Sequence, residues 1–274
     1  MDNEDLVKTT ESYYDSEDAD NFYFTIWGGE DIHVGLYEEG DTIYEASIKT
    51  VKRMADKLNI DQYTKIIDIG AGYGGSARYL ANRCGCHVEC INISEKENER
   101  NRQKNKEQGL DHLINVQHGN FEDIPFDDNT FDVVWCQDSI LHSGRKKKVF
   151  EESYRILKQG GDFIFSDPMQ KHDAPRDVLQ PVLNRIHLDH MGSVTMYREF
   201  AEELGLEEVE IEEIPHQLPN HYGRVLEEVK KNEDQLQGKV SNEYIEKMKQ
   251  GLEHWVDKGN RGYLNWGIVH FRKK

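Results

Sequence analysis

Residues 66–75 read IIDIGAGYGG. A run of isoleucines broken by one acid enters a glycine-rich turn. The chain then continues as a helix over 73–83, with Ala77, Leu80 and Ala81 on one face. A buried strand that turns tightly into a helix is half of a β-α-β unit. The pattern then repeats. Strands are predicted at 64–70, 87–93, 113–119, 130–138 and 162–168, and helices at 94–109 and 144–161. The 94–109 helix carries a Ser cap, early acids, later bases and a closing Gly. Five alternations of strand and helix call for a parallel sheet covered on both faces. The fold class expected is therefore α/β and Rossmann-like.

Past residue 168 the alternation stops. Residues 175–190 and 195–205 read as helices, 206–214 as a strand, 221–258 as two charged surface helices, and 263–273 as a closing strand. The first 60 residues hold an aromatic-rich segment and a helix over 41–58. The expected organisation is an N-terminal aromatic lid and helix over 1–60. A core over 61–274 follows, with a helical insert at about 168–260. The lid and the insert are the candidate covers for the sheet's C-terminal edge.

Composition narrows the function. With 34 basic and 52 acidic side chains the net charge is −18. A chain this acidic lacks the cations that neutralise phosphates or anionic lipid, so neither nucleic acid nor membrane is an expected partner. No stretch reaches the ~20 apolar residues of a membrane span. The first twenty residues are acidic, with no apolar signal core, which predicts a soluble, cytoplasmic protein. Cys84, Cys86 and Cys90 crowd together, but their spacing is not that of a zinc site. They are read as buried reduced thiols, and no metal is expected.

The glycine turn can be read in two ways. Gly70, Gly72 and Gly75 fill the places of a dinucleotide-binding G-x-G-x-x-G, so a nicotinamide cofactor is formally possible. The surrounding order of features points elsewhere. Asp68 precedes the turn in D-x-G-x-G, and HGNFEDIPFDDNTFDVVWCQDSILH follows the third strand. Residues 60–167 thereby resemble the S-adenosylmethionine-dependent class I methyltransferases. That resemblance implies a seven-stranded, mostly parallel sheet with an antiparallel last strand. It implies S-adenosyl-L-methionine as cofactor, with Asp68, Gly70, Ala71 and Gly72 at its methionine part. Asn92 and Ile93 fall at the ribose, and Asn120 and Phe121 at the adenine. Asn92 stands where the family usually has an acid, and an amide cannot replace both charge-assisted bonds of a carboxylate.

The chain ends narrow the resemblance. YYDSEDADNFYFTIWGGEDIHVGLY (13–37), WCQDSILHS (135–143), GSVTMYREFAEELGL (192–206) and GYLNWGIVHFRK (262–273) are similar to the sarcosine/dimethylglycine N-methyltransferases, which make glycine betaine. Phosphoethanolamine methyltransferases and sterol- or tocopherol-type C-methyltransferases share parts of these strings and stand as the alternative. The relatives imply that Ile32 and His33 reach the methionine end of the cofactor, where Gln137 and Asp138 also belong.

Sarcosine and dimethylglycine are protonated at neutral pH, so a proton must leave before nitrogen can attack a methyl group. Asp138 and His142 are four residues apart, and a helix there would put both on one face. His142 is the candidate base, and the resemblance pairs it with a tyrosine, Tyr14 or Tyr23. The aromatic residues of 13–37, Trp27 among them, suit a substrate that becomes a quaternary ammonium. Arg185 is the candidate for the substrate carboxylate because a guanidinium forks onto it. Asn265 and Trp266 are further candidates.

Overall fold

The computed structural model describes residues 3–186 and 188–274. Two helices open the chain, α1 (Asn3–Tyr14) and α2 (Glu17–Ile26), followed by α3 (Ile43–Ala55). The expected strand–helix series comes next: β1 (Lys65–Ile69), α4 (Gly75–Cys84), β2 (His87–Asn92), α5 (Glu95–Glu107), β3 (Ile114–His118) and β4 (Phe131–Gln137). A single 3-10 turn, Ile140–His142, leads to α6 (Lys146–Ile156) and β5 (Leu157–Gln170). The remainder is α7 (Arg176–Ile186), α8 (Val194–Leu204), β6 (Leu206–Glu213), α9 (Gln217–Lys231), α10 (Glu233–Leu236), α11 (Asn242–Asn260) and β7 (Leu264–Lys273).

The seven strands form one sheet in the order β3-β2-β1-β4-β5-β7-β6. β7 runs antiparallel to both its neighbours, and the other paired strands are parallel. The order reverses between β1 and β4, which opens a crevice at their carboxyl ends. One face packs Phe150, Phe163, Phe165, Tyr197 and Phe271, and the other packs Trp135 against α3 and α4. No helix among the described residues is long and apolar enough to cross a membrane. The four cysteines are free.

The structure differs from the expected elements in three places. The 144–161 helix ends at Ile156, because Leu157 pairs with Phe131 and the Gly160–Gly161 passage lies within β5. The 175–190 helix ends at Ile186, and its residue 187 lies outside the described residues. The charged 221–258 stretch forms parts of three helices, α9, α10 and α11, rather than two surface ones. Their apolar stripes are buried: Val225, Val229 and Leu252 pack with Phe22, Tyr23 and Trp27 of the N-terminal arm. The arm and these helices thus cover the sheet's C-terminal edge together.

The segment after α2 is pressed against α3. Leu36 N donates to the Ala46 carbonyl at 3.0 Å, and Thr50 Oγ1 donates to the Val34 carbonyl at 2.9 Å. A Cβ at Gly35 would lie 2.5 Å from Ala46 Cβ and 2.9 Å from its backbone carbon. Gly223, inside α9, has open space around it. Gly35→Ala should therefore cost about 1–3 kcal/mol through overpacking. Gly223→Ala should add about 0.5–1 kcal/mol through helix propensity. Urea unfolding midpoints measure both, and equal shifts for the two would contradict this packing.

Candidate active site

The glycine turn holds β1 and α4 around a cavity of about 110 Å³ at the sheet's carboxyl edge. Gly70 and Gly72 have φ of 81° and 53°, a region costly for side chains. A Cβ at Gly70 would also lie 2.5 Å from Ser139 Oγ. The start of α4 is not open to a pyrophosphate. Gly75 N donates to the Glu30 carbonyl at 3.1 Å, and the Asp31 carboxylate packs so close that a Cβ at Gly75 would lie 2.5 Å from it. The arm has taken the anion-binding end of the helix, so the dinucleotide reading does not stand.

At one end of this cavity lie Asp31, Ile32, His33, Asp68, Gln137 and Asp138. Burial would push the Asp31 carboxyl up, but His33 beside it, with Arg78 and the Ser76 hydroxyl, holds it below the usual range. Burial would lower His33, and the same Asp31 outweighs it, so the imidazole is raised. Among the described residues Asp68 has no ion pair, and His33 opposes its shift only in part. Burial, reinforced by Asp31, pushes its carboxyl up to about 8. Gln137 Oε1 accepts from Ser76 Oγ and from Trp135 Nε1, the latter at 3.0 Å. That fixes the amide and leaves Nε2 buried, with no partner among the described residues.

At the other end lie Asn92, Ile93, Asn120 and Phe121. Asn92 is not alone there. Its Nδ2 donates to Glu97 Oε2 at 2.8 Å, and Glu97, 4% exposed, also lines the cavity. Burial raises the Glu97 carboxyl to about 7. The acid expected at the end of β2 is thus supplied five residues later, from the first turn of α5. Asn120 Oδ1 is turned to the Glu122 amide at 2.9 Å.

A second cavity, of about 90 Å³, lies behind the first and under the arm. Tyr14, Ile32, His33, Asp138 and His142 line both, so they mark the junction. Asp138 and His142 do not share a helical face as expected. Asp138 sits at the end of β4 with φ 51°, and His142 comes from one 3-10 turn. The Asp138 carboxylate is fully engaged. Its Oδ2 accepts from Val34 N at 2.6 Å, and its Oδ1 accepts from Ser166 Oγ at 2.6 Å and Trp266 Nε1 at 3.0 Å. Trp266 is therefore placed behind Asp138, fully buried, and does not line the second cavity. Asn265 is likewise buried and bonds Glu213. The Trp266 indole thus reaches the site only through Asp138.

Tyr14 OH lies 3.0 Å from His142 Nε2. Burial raises the Tyr14 phenol well above its ordinary value, so it keeps its proton and donates to Nε2. Burial, with Lys146 and Arg185 nearby, lowers His142 to about 4, so the imidazole is neutral with an accepting Nε2. Tyr23 faces only the second cavity, and its hydroxyl is 3.1 Å from Tyr13 OH. Trp27 lines the same cavity and donates from Nε1 to His221 Nε2 at 3.1 Å. Both His221 ring nitrogens are engaged, since Nδ1 accepts from Gly35 N at 3.3 Å and lies 2.8 Å from Tyr37 OH. Arg185 extends from α7 into the wall. Its Nη2 meets only Met248 Sδ, at 3.4 Å, and its Nη1 is buried with no partner among the described residues.

Tyr13, one of the aromatic residues of 13–37, lines the second cavity, and Asp31, Glu97, His221, Tyr222 and Trp255 also belong to these walls and were not singled out in the sequence. Tyr222 and Trp255 fell within a stretch read as charged surface. Their rings pack at 4.9 Å.

This fold and this paired cavity define a Rossmann-like methyltransferase. A methyltransferase domain matches residues 67–165. The sarcosine/dimethylglycine N-methyltransferase of Halorhodospira halochloris is 56% identical over 271 residues, covering 97% of this chain and 96% of the relative. That of Aphanothece halophytica is 56% identical over 98% of both chains. A Galdieria sulphuraria crystal structure assigned to a sarcosine dimethylglycine methyltransferase superposes with a TM-score of 0.91 at 43% identity, over 96% of this chain and 99% of that one. The chain belongs to the sarcosine/dimethylglycine N-methyltransferase family.

Asp68 generates a stability prediction. Its carboxyl holds a proton to about pH 8 when folded and to about pH 4 when unfolded. The folded state binds more protons in between, so its contribution is intact below pH 4 and lost as pH rises to 8. Asp68→Asn removes that loss. The variant without ligand should melt higher than wild type at pH 7.5, by an amount on the order of 2 kcal/mol or more, and the gap should close toward pH 5. A variant that melts lower at pH 7.5 would show that Asp68 is not an uncompensated buried acid.

Proposed function

We propose that the protein transfers methyl groups from S-adenosyl-L-methionine to the nitrogen of sarcosine and N,N-dimethylglycine, with glycine betaine as the end product. The observation that carries this reading is the buried, unpartnered Arg185 Nη1 in an aromatic-walled cavity whose far end is the Tyr14–His142 pair. A buried guanidinium without an anion is costly, and a small substrate's carboxylate is the natural partner. A cavity of about 90 Å³ suits a small amino acid rather than a sterol.

The first cavity fits the cofactor on its own chemistry. Gln137 Nε2 is an orphaned donor, and Asp31 and Asp68 are acids facing the end where a sulfonium and an amino group would lie. Glu97 and Asn92 supply acceptors for ribose hydroxyls, and the bare backbone of Gly70 and Gly72 permits close approach. Ile93 and Phe121 supply apolar contact, with Asn120 at the polar edge of the base. S-adenosylmethionine, once bound, supplies an electrophilic methyl on a positively charged sulfur.

The chain's residues prepare the nitrogen. Arg185 holds the carboxylate, which sets the amine toward the junction near Tyr14. The Tyr14 oxygen accepts from the substrate N–H while its own hydroxyl points at His142. A proton leaving nitrogen reaches Tyr14, Tyr14 gives its proton to His142 Nε2, and the imidazole becomes imidazolium. The carboxylate on Arg185 offsets one of the cations that depress His142, so the base strengthens when substrate is present. Tyr23, Trp27, Tyr222 and Trp255 line the space in which the cation forms, where aromatic rings attract it. Asp138 holds the arm in place through Val34 N. The free thiols, with Cys86, Cys90 and Cys136 buried and Cys84 only partly so, suit a reducing compartment, and we place the reaction in the cytoplasm.

Incubation with methyl-labelled S-adenosylmethionine and, separately, glycine, sarcosine, dimethylglycine and phosphoethanolamine tests the acceptor. Label should appear in glycine betaine from dimethylglycine and in dimethylglycine from sarcosine. Label in the phosphobase alone would overturn the acceptor. His142→Gln should lower kcat by about 10²–10⁴-fold, the range for a lost general base. Unchanged turnover would remove that role.

A further inference from the structure

A third cavity, of about 470 Å³, opens between α1, α2 and α11. Tyr13 and Arg185 line both this cavity and the inner one, so they form the partition between the two. The partition is thin in chemical terms. Tyr13 OH bonds Tyr244 OH at 2.8 Å and touches Met248 Sδ at 3.6 Å, and the Arg185 head rests on that same sulfur. A thioether is a weak acceptor. Across the seam from α1 and α7 to α11 these side chains make one phenol–phenol bond, two sulfur contacts and a stack of the Tyr13 and Tyr244 rings at 6.2 Å, and the Arg185 head lies close to Gly251. No residue that lines the outer cavity also lines the first, cofactor-sized one.

The charges at the mouth are few. Lys247 is exposed on α11, opposite Glu17 and Asp18 at the start of α2. Asp18 is committed to Ser241, accepting from its N at 2.8 Å and its Oγ at 2.5 Å. Lys247 outside and Arg185 inside are then two cations in line, on a chain whose net charge is −18. A small anion can follow these two cations inward past the carboxylates of Glu17 and Asp18 at the mouth.

We propose that the outer cavity is the port for the carboxylate substrate, with Lys247 as its outer anion contact, Arg185 as its inner one, and the Tyr13–Tyr244 bond as the gate. The proposal rests on Arg185 binding the substrate carboxylate. Its consequence is kinetic: substrate enters and leaves while the cofactor cavity stays filled from the other side.

Trp27 and Trp255 line the inner cavity, so tryptophan fluorescence reports arrival there. Stopped-flow mixing of dimethylglycine with protein saturated in S-adenosylhomocysteine gives association and dissociation rates. Lys247→Glu should slow association by about three- to tenfold at low salt, and Glu17→Gln should speed it, both effects fading at high salt. Lys106→Glu, the same charge change on α5, should leave it unchanged. Tyr244→Phe should speed association and dissociation together, by about threefold or more, because a gate sets rates in both directions. Label transfer to dimethylglycine with association rates indifferent to Lys247, Glu17 and Tyr244 would overturn the port and leave the activity standing. No transfer to any carboxylate-bearing amine would overturn both.

Discussion

The Asp138 carboxylate is the point on which the site's geometry depends. It sits at the end of β4 in a left-handed conformation, where a non-glycine residue is held only by its surroundings. Those surroundings are four hydrogen bonds to three parts of the fold: its own N–H on the Ser166 carbonyl of β5, the Ser166 hydroxyl, the Trp266 indole of β7, and the Val34 amide of the arm. Burial raises this carboxyl, and His33 together with those donors opposes the rise. One side chain therefore fixes the sheet's edge, the arm and the junction of the two cavities relative to one another. The antiparallel β7 is what brings Trp266 within reach. Without that strand the acid would have one donor fewer and the arm a weaker anchor.

A second theme is charge held in reserve. Asp68 and Glu97 are buried acids raised to about 8 and 7, and Arg185 keeps a buried nitrogen without a partner. Each costs stability in the protein alone. Each faces a cavity, Glu97 with the Asn92 amide beside it, as expected of groups completed by ligands. By contrast Lys146 and Asp167, equally buried, are spent on structure. Lys146 Nζ donates to the carbonyls of Leu141 and Ser143, and Asp167 accepts from Leu141 N and Tyr197 OH. Together they hold the short turn that carries His142, and Lys146 also helps keep that imidazole neutral.

Much of this was legible in the sequence, and the reasons for what was not are physical. The β-α alternation and the D-x-G-x-G turn reported a buried parallel sheet, because burial on both faces leaves continuous apolar runs. The arm was harder. α1 is only weakly amphipathic, so its aromatic residues read as a string rather than as a helix. Glu97 was hidden because a side chain on the first turn of α5 reaches back to the end of β2, a contact that linear order does not display. Tyr222 and Trp255 were hidden by charged neighbours, since the helices that carry them are solvated on one face and buried on the other. Trp266 was named only as a candidate from the closing strand, and linear order does not show that its indole is buried behind Asp138. Arg185 was legible as a candidate only by residue type. Its buried, unpaired state belongs to the tertiary structure alone.

On the proposed reading, Arg185 recognises the substrate's carboxylate. The direct test compares kcat/KM for dimethylglycine with that for N,N-dimethylethanolamine, which keeps the amine and lacks the acid, in wild type and in Arg185→Met. A charge-assisted pair in a buried site is worth about 1.5–3 kcal/mol, or roughly 10–100-fold. The account predicts that wild type prefers the acid by at least about that factor and that the variant loses the preference, chiefly through KM. A preference for dimethylglycine undiminished in Arg185→Met would contradict it and place the carboxylate on another group.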